Sequence, residues 1–323
     1  MAKAVVLHET GGPENLRWED WHPGKPAPGE ALVRQTYAGL NYNDINFRVG
    51  KIPLPQLPMV IGREAAGIVE AMGEGISEVT VGMRVAYAGQ FGAYGELNNV
   101  RADRLIPVPD DIGDDVAAAM ILKGMTAQYL VRQTKPLKDG DTMLYHAAAG
   151  GVGLIACQWA KHLGATVIGT VGSEEKAAIA RKHGCDHVIL YSSGDFLEQV
   201  KEITNGRGVD YVCDAVGKDT IEQSMQCMAH HGVLAVYGAA SGSPPPETWG
   251  KLPTERFLVR ASLPSYTRTR EMLLACAGDV FDIVRSGAVK IAINQRYVLK
   301  DAPQAHVDLE GRKTTGSTVF EIA

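Results

Sequence analysis

The chain has 323 residues, 45% of them hydrophobic and 21% charged, with a formal net charge of −5. That length suits about two domains with real cores, and the composition is that of a globular protein in water rather than a disordered or membrane-embedded one. The acidic balance, without a clustered basic stripe, argues against nucleic acid or an anionic membrane as a main partner.

The opening MAKAVVLHETGGPE lacks the basic-then-apolar layout of a secretory signal, so a cytoplasmic protein is expected. Up to about residue 109, short β-like runs (AVVLH, EALVRQTYAG, AAGIVEAMG, GMRVAYAG) alternate with turns such as GGPE, KPAPGE and PVPDD. This predicts a compact, mostly antiparallel β domain with few helices. From Thr142 to Ala160 no residue carries a formal charge, but Gly150-Gly151 and His146 make the run a poor lipid-spanning helix.

Six apolar runs begin near Thr142, Thr166, His187, Val209, Gly232 and Phe257, 21 to 25 residues apart. Helix-like segments at 152–163, 174–183, 196–203 and 220–228 lie between most of them, and several stop at a glycine, as in HLG, KHG and TNG. Such alternation predicts an α/β fold with a doubly wound parallel sheet. SGSPPPETWGKLP reads as an irregular loop. After Tyr266 a helix-like stretch precedes strand-like AINQRYVL and GSTVFEI, and pattern alone leaves open which domain takes them. The five cysteines (157, 185, 213, 227 and 276) form no CxxC pair, so they are expected as buried thiols, not as disulfides or zinc ligands.

At the first strand of the alternation, MLYHAAAGGVGLIACQWAKHLG reads as strand, tight turn, helix, with Ala148-x-Gly150-x-x-Gly153 at the turn. Small residues there let the backbone approach a pyrophosphate, which the helix N-terminus then meets with N–H groups. A nicotinamide dinucleotide is therefore expected. NAD sites usually end the second strand on an acid that holds the ribose hydroxyls. Here Gly172 and Ser173 occupy that place and Lys176 follows in the first helical turn, where the helix dipole disfavours a cation. A 2′-phosphate would explain the lysine, so NADP(H) is favoured; a solvated surface lysine is the alternative.

The segments LNYNDINFRVG, GREAAGIV, ILKGMTAQYLV, YHAAAGGVGLIACQWAKHLGATVIGTV, DAVGKDTIEQS, VRASLPSYTRTRE and AHVDLEGRKTTGST span nearly the whole chain. On them the chain resembles the zinc-independent, zeta-crystallin-like quinone oxidoreductases of the medium-chain dehydrogenase/reductase superfamily. The resemblance implies a GroES-like β catalytic domain at 1–124 completed by 267–323, a Rossmann NADP(H) domain at 125–266, NADPH as cofactor, and a homodimer joined partly through sheet edges. It further implies cofactor contacts from Asn41, Thr126, Ala149, Gly150, Gly151, Val152, Gly172, Ser173, Lys176, Tyr191, Val216, Tyr237, Gly238, Ser241, Ser262, Leu263 and Arg312. Lys176 and Tyr191 would flank the 2′-phosphate.

Zinc relatives of the superfamily typically use a cysteine of the first domain and a GHE motif. The matching stretches here are AGLNYND and Gly62-Arg63-Glu64, and the first cysteine of the chain is Cys157. Arginine has no lone pair to offer a metal, so no metal is expected. Negative charge developing on an acceptor oxygen then needs hydrogen-bond donors or a proton source. Asn41 is the first candidate donor, with a structural amide as the alternative. Lys123 is a candidate cation near cofactor or substrate, or the partner of a carboxylate. Asp44 is expected to hold Asn41 or Arg48, His146 to be a core histidine, and His230-His231 to sit solvated in a turn. Bacterial relatives carry tyrosines where this chain has Asn46 and Ile52, which changes the substrate pocket; Phe47 could replace a lost ring only if the loop shifts. The expected activity is NADPH-dependent reduction of a small quinone, the alternative being reduction of an enone, alkenal or enoyl thioester.

Overall fold

The computed structural model describes residues 2–191 and 194–322. Along the chain come β1 (Lys3–Leu7), β2 (Leu16–Asp20), β3 (Glu30–Leu40), α1 (Tyr42–Arg48), β4 (Met59–Val60), β5 (Glu64–Met72), β6 (Arg84–Ala88), β7 (Leu97–Arg101), β8 (Ile106–Pro107) and α2 (Asp114–Gln128). Strand β3 alternates buried and outward residues over most of its length, as a half-buried strand must. Helix α2 has no amphipathic stripe, because Ala117, Ala118, Ala119, Met120 and Ile121 are all fully buried; periodicity therefore could not mark it.

The next elements are β9 (Thr142–His146), α3 (Gly151–His162), β10 (Thr166–Val171), α4 (Glu174–Lys182), β11 (His187–Leu190), α5 (Phe196–Ile203), β12 (Val209–Asp214), α6 (Ile221–Gln226), β13 (Met228–Val236), β14 (Phe257–Arg260) and α7 (Leu263–Tyr266). The six strands pair in parallel in the order β11-β10-β9-β12-β13-β14. This is the doubly wound order that reverses direction beside its first strand. Helix α6 is shorter than the expected 220–228, and β13 starts at Met228. His230 and His231 lie in this strand rather than in a turn; they are exposed, and His231 adopts a left-handed φ of 61°. The register between β12 and β13 shifts at the same end, between Val209 and Tyr211.

The chain closes with α8 (Arg270–Arg285), β15 (Ile293–Val298), α9 (Ala302–Glu310) and β16 (Ser317–Glu321). Strand β16 pairs antiparallel with β3 and parallel with β15, in a sheet ordered β15-β16-β3-β5-β6-β8 with β7 also on β3; β2-β1-β4 form a second, small sheet. The chain divides into two compact units, one ending at Lys123 and taking up 267–278 and everything from Ile291, the other holding 124–266 and 279–290. Residues 279–290, expected with the first domain, thus belong to the second. There Gln128 Nε2 donates to Asp279 Oδ2 at 2.8 Å, Val280 packs on Gly124, and Gln158 bonds the backbone of Lys290. Among the described residues no helix is long and apolar enough to cross a membrane.

The tight turn into α3 depends on Gly153, where an added Cβ would lie 2.6 Å from Ala148 O and 2.7 Å from Ala147 O. Gly153→Ala should lower stability in urea unfolding by about 1–3 kcal/mol. Gly278→Ala, whose Cβ meets open space within α8, should be neutral or slightly stabilising. Equal effects would show that the turn is not the cause.

Candidate active site

In the first unit, the site grows from the end of β3. Gly39 precedes Leu40 and Asn41, and a Cβ on Gly39 would lie 2.3 Å from Glu64 Oε2 and 2.5 Å from Ala118 O. Only glycine lets β3 pass between that carboxylate and α2. Glu64, the first residue of β5, is fully buried. Its Oε2 accepts from Asn41 Nδ2 at 2.9 Å and from Lys123 Nζ at 2.6 Å, and its Oε1 accepts from Leu122 N at 2.7 Å. A carboxylate can only accept here, so it dictates which face of the Asn41 amide points inward. The second Nδ2 hydrogen goes toward Gly39 O at 3.4 Å. Asn41 is therefore held as a structural amide, in contrast to the free donor ranked first from sequence, and Lys123 is paired with a carboxylate.

Asn41 precedes α1, and Asp44 in the first turn reaches back to the Asn41 N–H with Oδ2 at 2.9 Å, half of a capping box. The same oxygen accepts from the Tyr94 hydroxyl at 3.0 Å, and that hydroxyl also meets His306 Nε2 at 3.1 Å. Burial pushes the Asp44 carboxyl up to about 6, against the pull of these hydrogen bonds. Arg48 is buried and pairs with Glu310 at 2.7 Å rather than with Asp44. Asn46 is buried with its amide on Asn43 Oδ1 at 3.3 Å, and Ile52 N bonds Asn46 O at 3.2 Å. Phe47 is buried edge-on to Phe91 and lies under the Arg63 guanidinium, so it offers no free ring face in place of a tyrosine. Arg312 is exposed and far along the chain, with a left-handed φ of 56° just after α9.

In the second unit, the candidate cofactor residues follow the carboxyl ends of successive strands. After β9, Ala147 turns left-handed (φ 56°), Ala149 is buried, and Gly150 caps α3, leaving Gly151 and Val152 in its first turn. After β10, Gly172 faces open space where a Cβ would be, and Ser173 caps α4 by accepting from Lys176 N at 3.3 Å. Tyr191 follows β11; its hydroxyl accepts from Thr170 Oγ1 at 2.7 Å and lies 3.2 Å from His146 Nδ1, so the exposed ring, not the hydroxyl, is its outward part. Val216 follows β12, and Tyr237, Gly238 and Ser241 follow β13. Ser241 Oγ and N both donate to Val216 O at 2.8 Å, and the Tyr237 and Tyr145 hydroxyls are 2.5 Å apart. Ser262 and Leu263 follow β14, and Thr126 is buried on α2.

The zinc-binding dehydrogenase family model matches residues 151–275, and that of the alcohol dehydrogenase GroES-like domain matches 27–110. A quinone oxidoreductase of Pseudomonas aeruginosa is 47% identical over 323 residues, 99% of each chain. The chain belongs to the quinone oxidoreductase family of the medium-chain dehydrogenase/reductase superfamily. A 2-haloacrylate reductase from Burkholderia is 45% identical over 99% of each chain. The crystal structure of Escherichia coli quinone oxidoreductase complexed with NADPH superposes with a TM-score of 0.96, at 42% identity over 99% of this chain and 100% of that one.

Within this quinone oxidoreductase family member, two residues carry more of the site than sequence reasoning assigned them. Glu64 was visible only as the third residue of Gly62-Arg63-Glu64, and nothing local pointed to its bonds with Asn41 and Lys123. Asp214, at the end of β12, accepts from Val216 N and Gly217 N with Oδ1 and from Thr220 and Ser224 hydroxyls with Oδ2, all within 2.8–2.9 Å. Ser224 in turn contacts His146 Nε2 at 2.9 Å. His146 is a core histidine, and burial lowers its pKa against the pull of Asp214. Among the described residues, one group of three side chains could gather a metal ion, the exposed His230, His231 and Glu255; it does not include Asn41, Arg63 or Glu64.

Glu64→Gln leaves the Lys123 ammonium buried without its counter-charge, and should cost about 3–5 kcal/mol in chemical denaturation; a loss under 1 kcal/mol would show that the pair is solvated. For Asp44, the folded pKa of about 6 exceeds the ordinary 3.8, so the native state binds the proton more tightly than the unfolded one. Stability is then fullest below about pH 4 and falls as pH rises to about 6, by about 3 kcal/mol. Asp44→Asn should flatten that slope in urea titrations at pH 4 to 7; an unchanged slope would assign it to another group.

Proposed function

We propose that this chain is an NADPH-dependent reductase of small quinones. The observation that carries this reading is the run of glycines, small residues and hydroxyls that follows β9, β10, β12, β13 and β14 of the parallel sheet, with the open Gly172 and the capping Ser173 where a ribose-binding acid would stand and Lys176 in the first turn of α4 just beyond them. Gly150, Gly151 and Val152 would hold the pyrophosphate at the start of α3, Lys176 the 2′-phosphate, and Val216, Tyr237, Gly238 and Ser241 the nicotinamide half. Bound NADPH supplies a hydride, and with one proton from the medium a quinone leaves as its hydroquinone. Solved relatives support the choice, the Escherichia coli quinone oxidoreductase and a mycobacterial protein each being an NADPH complex.

The first unit serves as the catalytic domain. Glu64 takes one of the three Lys123 ammonium hydrogens, leaving the others for an oxygen of the acceptor. Asn41, fixed by Glu64 and Asp44, positions the adjoining backbone rather than donating from its amide. A second reading, reduction of a conjugated carbon–carbon double bond, is favoured by the Burkholderia relative, which is a 2-haloacrylate reductase by name, and accords with Asn46 and Ile52 standing where the family resemblance implies tyrosines. The protein works in the cytoplasm as a homodimer; strand β14 ends its sheet with Phe257 56% exposed, an edge that a second copy could extend.

Lys176→Ala should weaken NADPH binding by about 1.5–3 kcal/mol and leave NADH nearly unchanged. Fluorescence titration with both cofactors measures this, and equal weakening would remove Lys176 from the phosphate site.

A further inference from the structure

Arg63 sits between Gly62, whose φ of +82° and closeness to the Tyr94 ring exclude a side chain, and Glu64, which binds Asn41 and Lys123. Its guanidinium lies over two rings, 5.2 Å from the Phe47 centroid and 5.3 Å from that of Phe91. Those rings meet edge to face at 4.9 Å. Nε and Nη2 both donate to Gly89 O, at 3.0 and 2.5 Å, so one edge of the fork is pinned and Nη1 makes no hydrogen bond with the described residues. No carboxylate of the described residues pairs with it; the acid whose field it feels is Asp44, and Asp44 gives its bonded oxygen to Asn41 and Tyr94.

A permanent cation held half-buried against aromatic faces, with no ion pair among the described residues and only the field of Asp44 to offset it, is an expensive arrangement unless an anion arrives to complete it. The stacking also removes the rotamer freedom that an arginine ordinarily loses on binding, which leaves a preorganised donor edge suited to a planar carboxylate. Phe47 shares α1 with Asn46, one of the two positions expected to shape the acceptor pocket, and Asn41 caps the same helix. The guanidinium therefore packs against the helix that carries Asn46 and is capped by Asn41.

We propose that Arg63 is an anion-binding subsite for the acceptor and takes a carboxylate conjugated with the reducible bond, so that α,β-unsaturated carboxylic acids are substrates. This rests on the NADPH-dependent reductase reading above and gives its second form a substrate class.

The test compares an α,β-unsaturated acid, acrylate, with its uncharged methyl ester in NADPH oxidation by the wild type, Arg63→Gln and Arg63→Lys. The acid-to-ester ratio of kcat/KM should fall on the order of 10- to 100-fold in Arg63→Gln. Arg63→Lys, which keeps the charge but not the fork, should recover part of it. In the wild type, saturated propionate should compete with the acid. A ratio unchanged by Arg63→Gln, or a wild type that turns over only the ester, overturns the subsite. NADPH titration and 1,4-benzoquinone turnover, run in parallel, separate the cases. If both are absent, the reductase reading itself fails. If both persist without a carboxylate preference, only the role of Arg63 does.

Discussion

The buried carboxylate of Glu64 organises the first unit. Its two oxygens receive an amide hydrogen from Asn41, an ammonium from Lys123 and a backbone N–H from Leu122, so three segments distant in sequence meet at one charge. A buried charge is tolerable only when paired and hydrogen-bonded, and that requirement fixes its surroundings. Gly39 must lack a side chain to make room for it, α2 must present Lys123 and the Leu122 N–H, and Asn41 must turn its amide inward. The start of α1, and with it Asp44 and Phe47, follows from where Asn41 is held.

The second unit solves a different problem with backbone rather than charge. Parallel strands end at one edge, so the loops after β9 to β14 converge there; small residues keep bulky side chains off the backbone, while hydroxyls such as those of Tyr191, Tyr237 and Ser241 tie the loops to the strands and to one another. Asp214 tightens this edge from within, fastening the Val216–Gly217 loop by two N–H bonds and reaching His146 through Ser224. A neutral His146 fits that chain of hydroxyls, because a charged imidazole with no exposure would need more than the one carboxylate 4.0 Å away. The same histidine touches Tyr191, so the two ends of the expected dinucleotide track share a single polar network.

Departures from pattern have physical causes that no local motif displays. His230 and His231 follow a segment whose composition reads as helix followed by turn, yet they lie inside β13, in the stretch between Met228 and Val233 where its register with β12 shifts, and His231 takes a left-handed φ there. The interior helix α2 went unmarked because burial on all sides erases the stripe on which periodicity depends. The Asn41 amide reads from sequence as a donor free for a ligand, but a carboxylate more than twenty residues away accepts from it.

What the amino-acid order determined alone was whatever depends on neighbours in the chain. Strand and helix spacing near 22 residues set the parallel sheet, the Ala148-x-Gly150-x-x-Gly153 turn set the phosphate cradle, and the missing acid after β10 set the cofactor preference. What only the tertiary structure decided was the use of each polar atom: Glu64 on Asn41 and Lys123, Asp214 on its loop, Arg63 between two rings. Periodicity and motif spacing are short-range properties of the backbone, whereas hydrogen bonds and ion pairs in a core join residues that sequence separates by dozens of positions, and burial alone dictates that they be made.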